Sequence, residues 1–124
     1  MNPVILAKGL TLKLVHGIWP AILVAGKYQS NNALALYFVS DDDLNEPLCK
    51  SSLNQETISG LLPFNQFLCK DYSENEGMVK FLTESGIAIP TGGACQVGYE
   101  VCEILQLNDK LSAILKEAIN VQTH

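Results

Sequence analysis

The sequence predicts one α+β domain spanning residues 1–124: an antiparallel sheet of about five to six strands, with two helices packed on one face. Three observations carry that expectation. Alternating or doubly apolar runs fill the first half of the chain, as strands do. Two amphipathic stripes at helical spacing appear only after residue 70. The length of 124 residues, 48% hydrophobic and 17% charged, suits one folded domain and excludes intrinsic disorder.

The elements follow in chain order. Leu10-Thr11-Leu12-Lys13-Leu14 alternates strictly and reads as a strand with one wet face. Gly17 breaks that run. Ile18 to Val24 forms the next strand, with Pro20 confining it to an edge or to its own start. Gln29 to Asn32 is a polar turn, and Ala33 to Val39 is apolar on both faces, as a central strand is. These runs form an antiparallel meander. Ser40 to Asn45 is an acidic loop carrying Asp41, Asp42 and Asp43, followed by Glu46-Pro47. Leu48 to Leu53 is a further strand, Asn54 to Leu62 a short helical turn ended by Gly60 and Pro63, and Phe64 to Cys69 a short strand.

Ser73-Glu74-Asn75-Glu76 fits a capping box that starts a helix, with Asp71, Glu74 and Glu76 at its positive end. That helix buries Met78, Phe81 and Leu82, pairs Glu76 with Lys80, and ends on Ser85 and a left-handed Gly86. Tyr72 stands before the cap, either as its hydrophobic staple or exposed among the acids. Pro90-Thr91-Gly92-Gly93 reads as a turn, and Val97 to Leu107 as the last strand. Glu103 shares a face there with Val101 and Leu105, which calls for a bulge or a position at the sheet's edge. Asn108 caps a closing helix, with Asp109 in its first turn and a stripe of Leu111, Ile114, Leu115, Ala118 and Ile119.

Composition excludes several function classes. All 8 cations are lysines against 13 acids, for a net charge of −5 and a pI near 4.8. Without arginine or a basic stripe, direct nucleic-acid binding is not expected. The longest uncharged apolar stretch, Ile18 to Gly26, is too short to span a bilayer, and residues 1–8 lack the pattern of a signal peptide. A cytoplasmic protein is expected. A mean hydropathy of +0.17 points to self-association as a homo-oligomer.

The chemistry-bearing residues are few. Cys49, Cys69, Cys95 and Cys102 show no paired close spacing, so no zinc site is expected and free buried thiols are. Asp41–Asp43 lacks the alternation, glycine and distal glutamate of a calcium loop. Thr91-Gly92-Gly93-Ala94 lacks the lysine of a phosphate loop. A thiol-dependent enzyme built on His16 and a cysteine is the catalytic alternative, with no spacing in its favour. The expectation is a protein without catalytic residues, metal or cofactor.

Lys70-Asp71-Tyr72-Ser73-Glu74-Asn75-Glu76-Gly77, then Gly86-Ile87 and Pro90-Thr91-Gly92, resembles a family of small uncharacterised domains encoded by phages, plasmids and conjugative elements. Tyr28, Asn32-Ala33-Leu34-Ala35-Leu36 and Glu46-Pro47-Leu48 look like the same family's meander, so the resemblance covers residues 9–107. The acidic Asp41–Asp43 loop, the cysteines and the final helix depart from it. The resemblance implies a mobile-element setting and no mechanism. Small acidic proteins in that setting often block host defence enzymes by stoichiometric contact. The leading expectation is therefore a non-enzymatic accessory protein that binds a host protein, its specific version an inhibitor of a defence nuclease or CRISPR effector. The candidate protein-binding surface is Asp71, Tyr72, Glu74, Asn75 and Glu76, joined by Asp41, Asp42, Asp43 and Glu46. A self-assembling structural protein is the other alternative.

Overall fold

A computed structural model describes residues 2–122, with the side chains of all but 56, 57 and 122. The chain runs β1 (Val4–Leu14), β2 (Gly17–Lys27), β3 (Leu34–Ser40), β4 (Pro47–Lys50), β5 (Ser52–Leu53), α1 (Glu56–Ser59) and β6 (Gln66–Cys69). A 3-10 turn at Ser73–Asn75 leads into α2 (Met78–Glu84), then β7 (Ala88–Val97), β8 (Glu100–Leu107) and α3 (Asp109–Gln122). The α+β class and the antiparallel pairing stand, but the strands form two four-stranded sheets instead of one. Their orders are β1-β2-β3-β4 and β5-β6-β8-β7.

The division arises at Ser51. β4 pairs with β3, and two residues later β5 pairs with β6 instead. At the corner the backbone N–H of Leu36 donates to the Ser52 hydroxyl at 2.9 Å, while Ser51 N–H donates to the Leu36 carbonyl at 3.0 Å. A side-chain hydroxyl thus replaces a ladder partner, which satisfies the buried backbone while the strand bends away. Both serines are buried.

One core lies between these layers. Leu12, Leu36 and Phe38 of the first sheet meet Phe67 and Leu105 of the second, with Met78 and Leu82 of α2 and Leu111 and Leu115 of α3. α2 packs against β1 and β7, and α3 against β1, so the helices bridge elements of both sheets instead of covering one face of a single sheet. Phe81 reaches Phe38 edge-on, with ring centroids 5.9 Å apart. β3 is central and apolar on both faces: its Val39 joins a second, smaller cluster with Ile22 and Val24.

Pro20 lies in an interior strand, near its start as one of the two expected placements had it. Its carbonyl accepts from Asp41 N–H at 3.3 Å, so the side from which its own N–H is missing faces the end of β3. The ladder there ends one residue on, at Ala21–Ser40, and little hydrogen bonding is lost.

Two other expectations are corrected. Pro90 to Gly93 is not a turn but a bulge within β7: Pro90 pairs with Leu105 and Ala94 with Glu103, leaving extra residues on β7. The extra residues lie on β7, so β8 keeps its alternation; Glu103 shares the face of Leu105 but lies past the end of the β6 pairing and is exposed. The chain instead reverses at Gly98-Tyr99, inside the expected last strand. The closing helix is as expected, with Asn108 Oδ1 accepting from Leu111 N–H at 2.7 Å. Among the described residues no helix is long and apolar enough to cross a membrane.

Candidate functional site

Backbone pairing brings the two acidic segments to one end of the first sheet. The turn between β1 and β2 is Val15-His16, and β2 starts there. Because Ala21 pairs with Ser40, the loop from Asp41 to Glu46 emerges at the same end. The loop closes through Ser40 N–H to the Glu46 carbonyl, at 3.0 Å. The second acidic segment follows β6 and is tied to the hairpin turn: Val15 N–H donates to the Glu76 carbonyl at 2.9 Å, and His16 Nε2 lies 3.6 Å from Glu76 Oε2.

Within the second segment the residues do different work. Asp71, Glu74 and Glu76 are exposed. Asp71 Oδ1 accepts from the N–H groups of Gly77 at 2.8 Å and Val79 at 3.3 Å, so Asp71 caps α2 from outside it. Glu74 bonds Lys70, which holds its carboxyl down at about 2, helped by a backbone N–H and the Ser73 hydroxyl. Tyr72 is half-buried, with Lys70 Nζ 5.5 Å from its ring centroid.

The expected capping box does not form. Ser73 has a φ of 58°, whereas an N-cap residue needs extended backbone, and the N-cap of α2 is Gly77 with φ 99°. Glu76 therefore lies outside the helix and meets His16 instead of Lys80. The other end of α2 closes as expected: Gly86 N–H bonds Thr83 O and Ile87 N–H bonds Leu82 O, with Gly86 at φ 75°.

Asn75 is the clearest correction to the candidate surface. Its exposure is 0%, and Nδ2 donates to the Lys50 carbonyl while Oδ1 has no hydrogen-bond partner. It fastens the acidic turn to β4 and offers nothing to a partner. Asp41, Asp42, Asp43 and Glu46 are exposed, with Asp43 Oδ1 accepting from Asn45 N–H.

Sequence reasoning missed the apolar part of this end. Val15 is 63% exposed, Ile18 61% and Leu44 57%. The only local signal was position: Val15 beside a turn, and Leu44 inside an acidic loop. Beside Val15, between β1 and α2, lies a cavity of about 530 Å³. Leu14, Val15 and Phe81 give it an apolar lining, and Lys13, Lys80 and Glu84 line it with charge. Gly77 borders it and links it to Glu76.

The thiol alternative gains no geometry. The charged partner of His16 is Glu76. Burial, with Glu74 adding to it, pushes the Cys49 thiol up to about 11. Burial raises Cys69 further and raises Cys102 as well. Thiols held protonated at neutral pH are poor nucleophiles. Among the described residues, no group of three or more His, Cys, Asp or Glu is placed to hold a metal ion. No family model, curated protein or solved structure matches the chain.

Proposed function

We propose that this protein is a non-catalytic binding module that acts by stoichiometric contact through the end formed by the Val15-His16 turn, the 41–46 loop and the 71–76 segment. One observation carries the reading: Val15, Ile18 and Leu44 stand exposed among acids at this end. Interfaces commonly join apolar anchors to a polar rim, and a neighbouring cavity gives a partner's side chain somewhere to insert. The charge selects a partner with a basic surface. A host defence nuclease or CRISPR effector, with its basic nucleic-acid channel, is the partner class that fits the mobile-element resemblance.

The test is capture of host proteins on the tagged chain, beside a Val15→Ser/Ile18→Ser variant and a Glu74→Lys/Glu76→Lys variant. A protein retained by the parent and lost on both variants, each shown folded by circular dichroism, supports the reading. Retention undiminished on both would remove this end from consideration. For a captured nuclease, an affinity unchanged between low and high salt would rule out a charge-driven decoy.

A further inference from the structure

The β7–β8 ribbon outruns its neighbour. β6 pairs with β8 only from Ile104 to Gln106, so the stretch from Ala94 to Glu103 is held by pairing within the ribbon. In that stretch Cys95 lies directly opposite Cys102. Directly opposed residues of antiparallel strands project to the same face. Burial agrees: Cys95 is half-buried and Cys102 is 2% exposed, while Ala94, Gln96, Val101 and Glu103 around them are exposed.

The turn fixes the spacing of this pair. Gly98, at φ 62°, is the first of two turn residues between Val97 and Glu100. A two-residue hairpin closes on a hydrogen-bonded pair, and such pairs recur at every second position. Cys95–Cys102 is two positions from Val97–Glu100 and is therefore of the same kind, with Cα atoms about 5.5 Å apart. Native disulfides span about 5.5–6 Å between Cα atoms but only about 3.5–4.5 Å between Cβ atoms. A hydrogen-bonded pair sets its Cβ atoms towards about 5.5 Å, so the link closes with a local movement of the ribbon where β6 leaves it unsupported, and a strained link of that kind is readily exchanged. All four cysteines are free in the structure.

We propose that Cys95 and Cys102 form a thiol–disulfide exchange site whose substrate is a low-molecular-weight disulfide such as glutathione disulfide. Cys95, the more exposed, attacks first as its thiolate. Its Sγ bonds one sulfur of the small disulfide, and the other sulfur leaves as a thiolate. Burial keeps the Cys102 thiol protonated at neutral pH, but the register holds it opposite Cys95, so this second step is intramolecular and quickens as pH rises. On giving up its proton Cys102 attacks Cys95 Sγ, expelling the second small thiolate. Two protein thiols become one disulfide, two protons are released to the departing thiolates, and the two electrons reduce the small disulfide to two thiols. The product is a cross-link across the ribbon where β6 no longer supports it. This inference does not depend on the proposed binding function.

The experiment equilibrates the full chain in glutathione buffers from fully reduced to fully oxidised, traps free thiols by alkylation, and maps peptides by mass spectrometry. The expected result is a protein lighter by about 2 Da, one disulfide's worth of hydrogen, with the 95–102 link found in the parent itself. A Cys102→Ser variant should stop at a glutathione adduct on Cys95, and a Cys69→Ser variant should still form the link. Adduct without cross-link in the parent, a link joining Cys69 instead, or no reaction in the most oxidising buffer would each overturn the proposal.

Discussion

Asn75 offers the sharpest test of how the acidic end is held. Replacing it by aspartate changes one group of nearly equal size at a position with 0% exposure. At neutral pH the variant puts a carboxylate where Nδ2 donates to the Lys50 carbonyl, so an attraction becomes an oxygen–oxygen repulsion. No other hydrogen-bond donor meets the side-chain oxygen already there. Leaving a buried charge unpaired costs about 3–5 kcal/mol. For a chain of this length that is a fall in melting temperature on the order of 10 °C. The pH dependence fixes the cause. Burial raises the pKa of a carboxyl, so the folded variant binds its proton more tightly than the unfolded one. Its deficit against the parent is absent below the unfolded pKa of about 3.9 and grows as pH rises towards the folded value. Once protonated, the introduced carboxyl can also donate to the Lys50 carbonyl again. Urea unfolding of parent and Asn75→Asp from pH 3.5 to 7 measures the difference, and Asn75→Leu serves as a control whose difference should not vary with pH. A deficit below about 1 kcal/mol at pH 7, flat across the range, would mean that this side chain reaches water and does not pin the turn.

Asp71→Ala removes the acceptor of two N–H groups at the start of α2 and should cost about 1 kcal/mol, read by thermal unfolding, with faster amide exchange at Gly77 and Val79. Gly17→Ala would place a Cβ 2.4 Å from the Trp19 ring, so the ring must shift. The clashing atoms are at the far end of a half-buried ring, so an altered tryptophan emission with a loss of no more than about 1 kcal/mol is expected, and an unchanged spectrum would contradict the contact. Glu74, held at about 2, contributes stability that is present above about pH 4.5 and lost as pH falls towards about 2. Lys70→Met should flatten the stability profile in that window only, and modestly, because the pair is solvent-facing.

What the sequence made legible was what local patterning determines. The alternation in Leu10–Leu14, the doubly apolar Ala33–Val39, the left-handed Gly86 and the Asn108 cap all depend on a few neighbouring residues, and all appear in the fold. The second sheet was not legible, because Leu48–Leu53 reads as one strand. Its division at Ser51 depends on Leu36, far away in sequence, bonding two serines. The capping box failed for a related reason. Ser73 has the right chemistry, but the tether of Glu76 to Val15 accompanies a backbone that turns too tightly for Ser73 to be an N-cap. At the candidate site the exposed acids were legible from charge. Asn75 was not, since a polar residue among acids reads as exposed until Lys50 is seen to need its donor.

The same tethers bear on how the acidic end would bind. The 70–76 segment is fixed by Lys70 N–H to the Ser51 carbonyl, by Asn75 to the Lys50 carbonyl, and by Glu76 to Val15 N–H. A surface held at three points is already ordered, so little conformational entropy is lost there on association. Its charge is another matter. Glu74 is paired with Lys70, which leaves the 41–46 loop, Asp71 and Glu76 as the acids without a lysine partner among the described ion pairs. Charge at this end is therefore spread over a few exposed acids, and the discriminating contacts fall to Val15, Ile18 and Leu44. Raising salt should then slow association while leaving most of the lifetime of the complex intact. Val15→Ser/Ile18→Ser should shorten that lifetime instead.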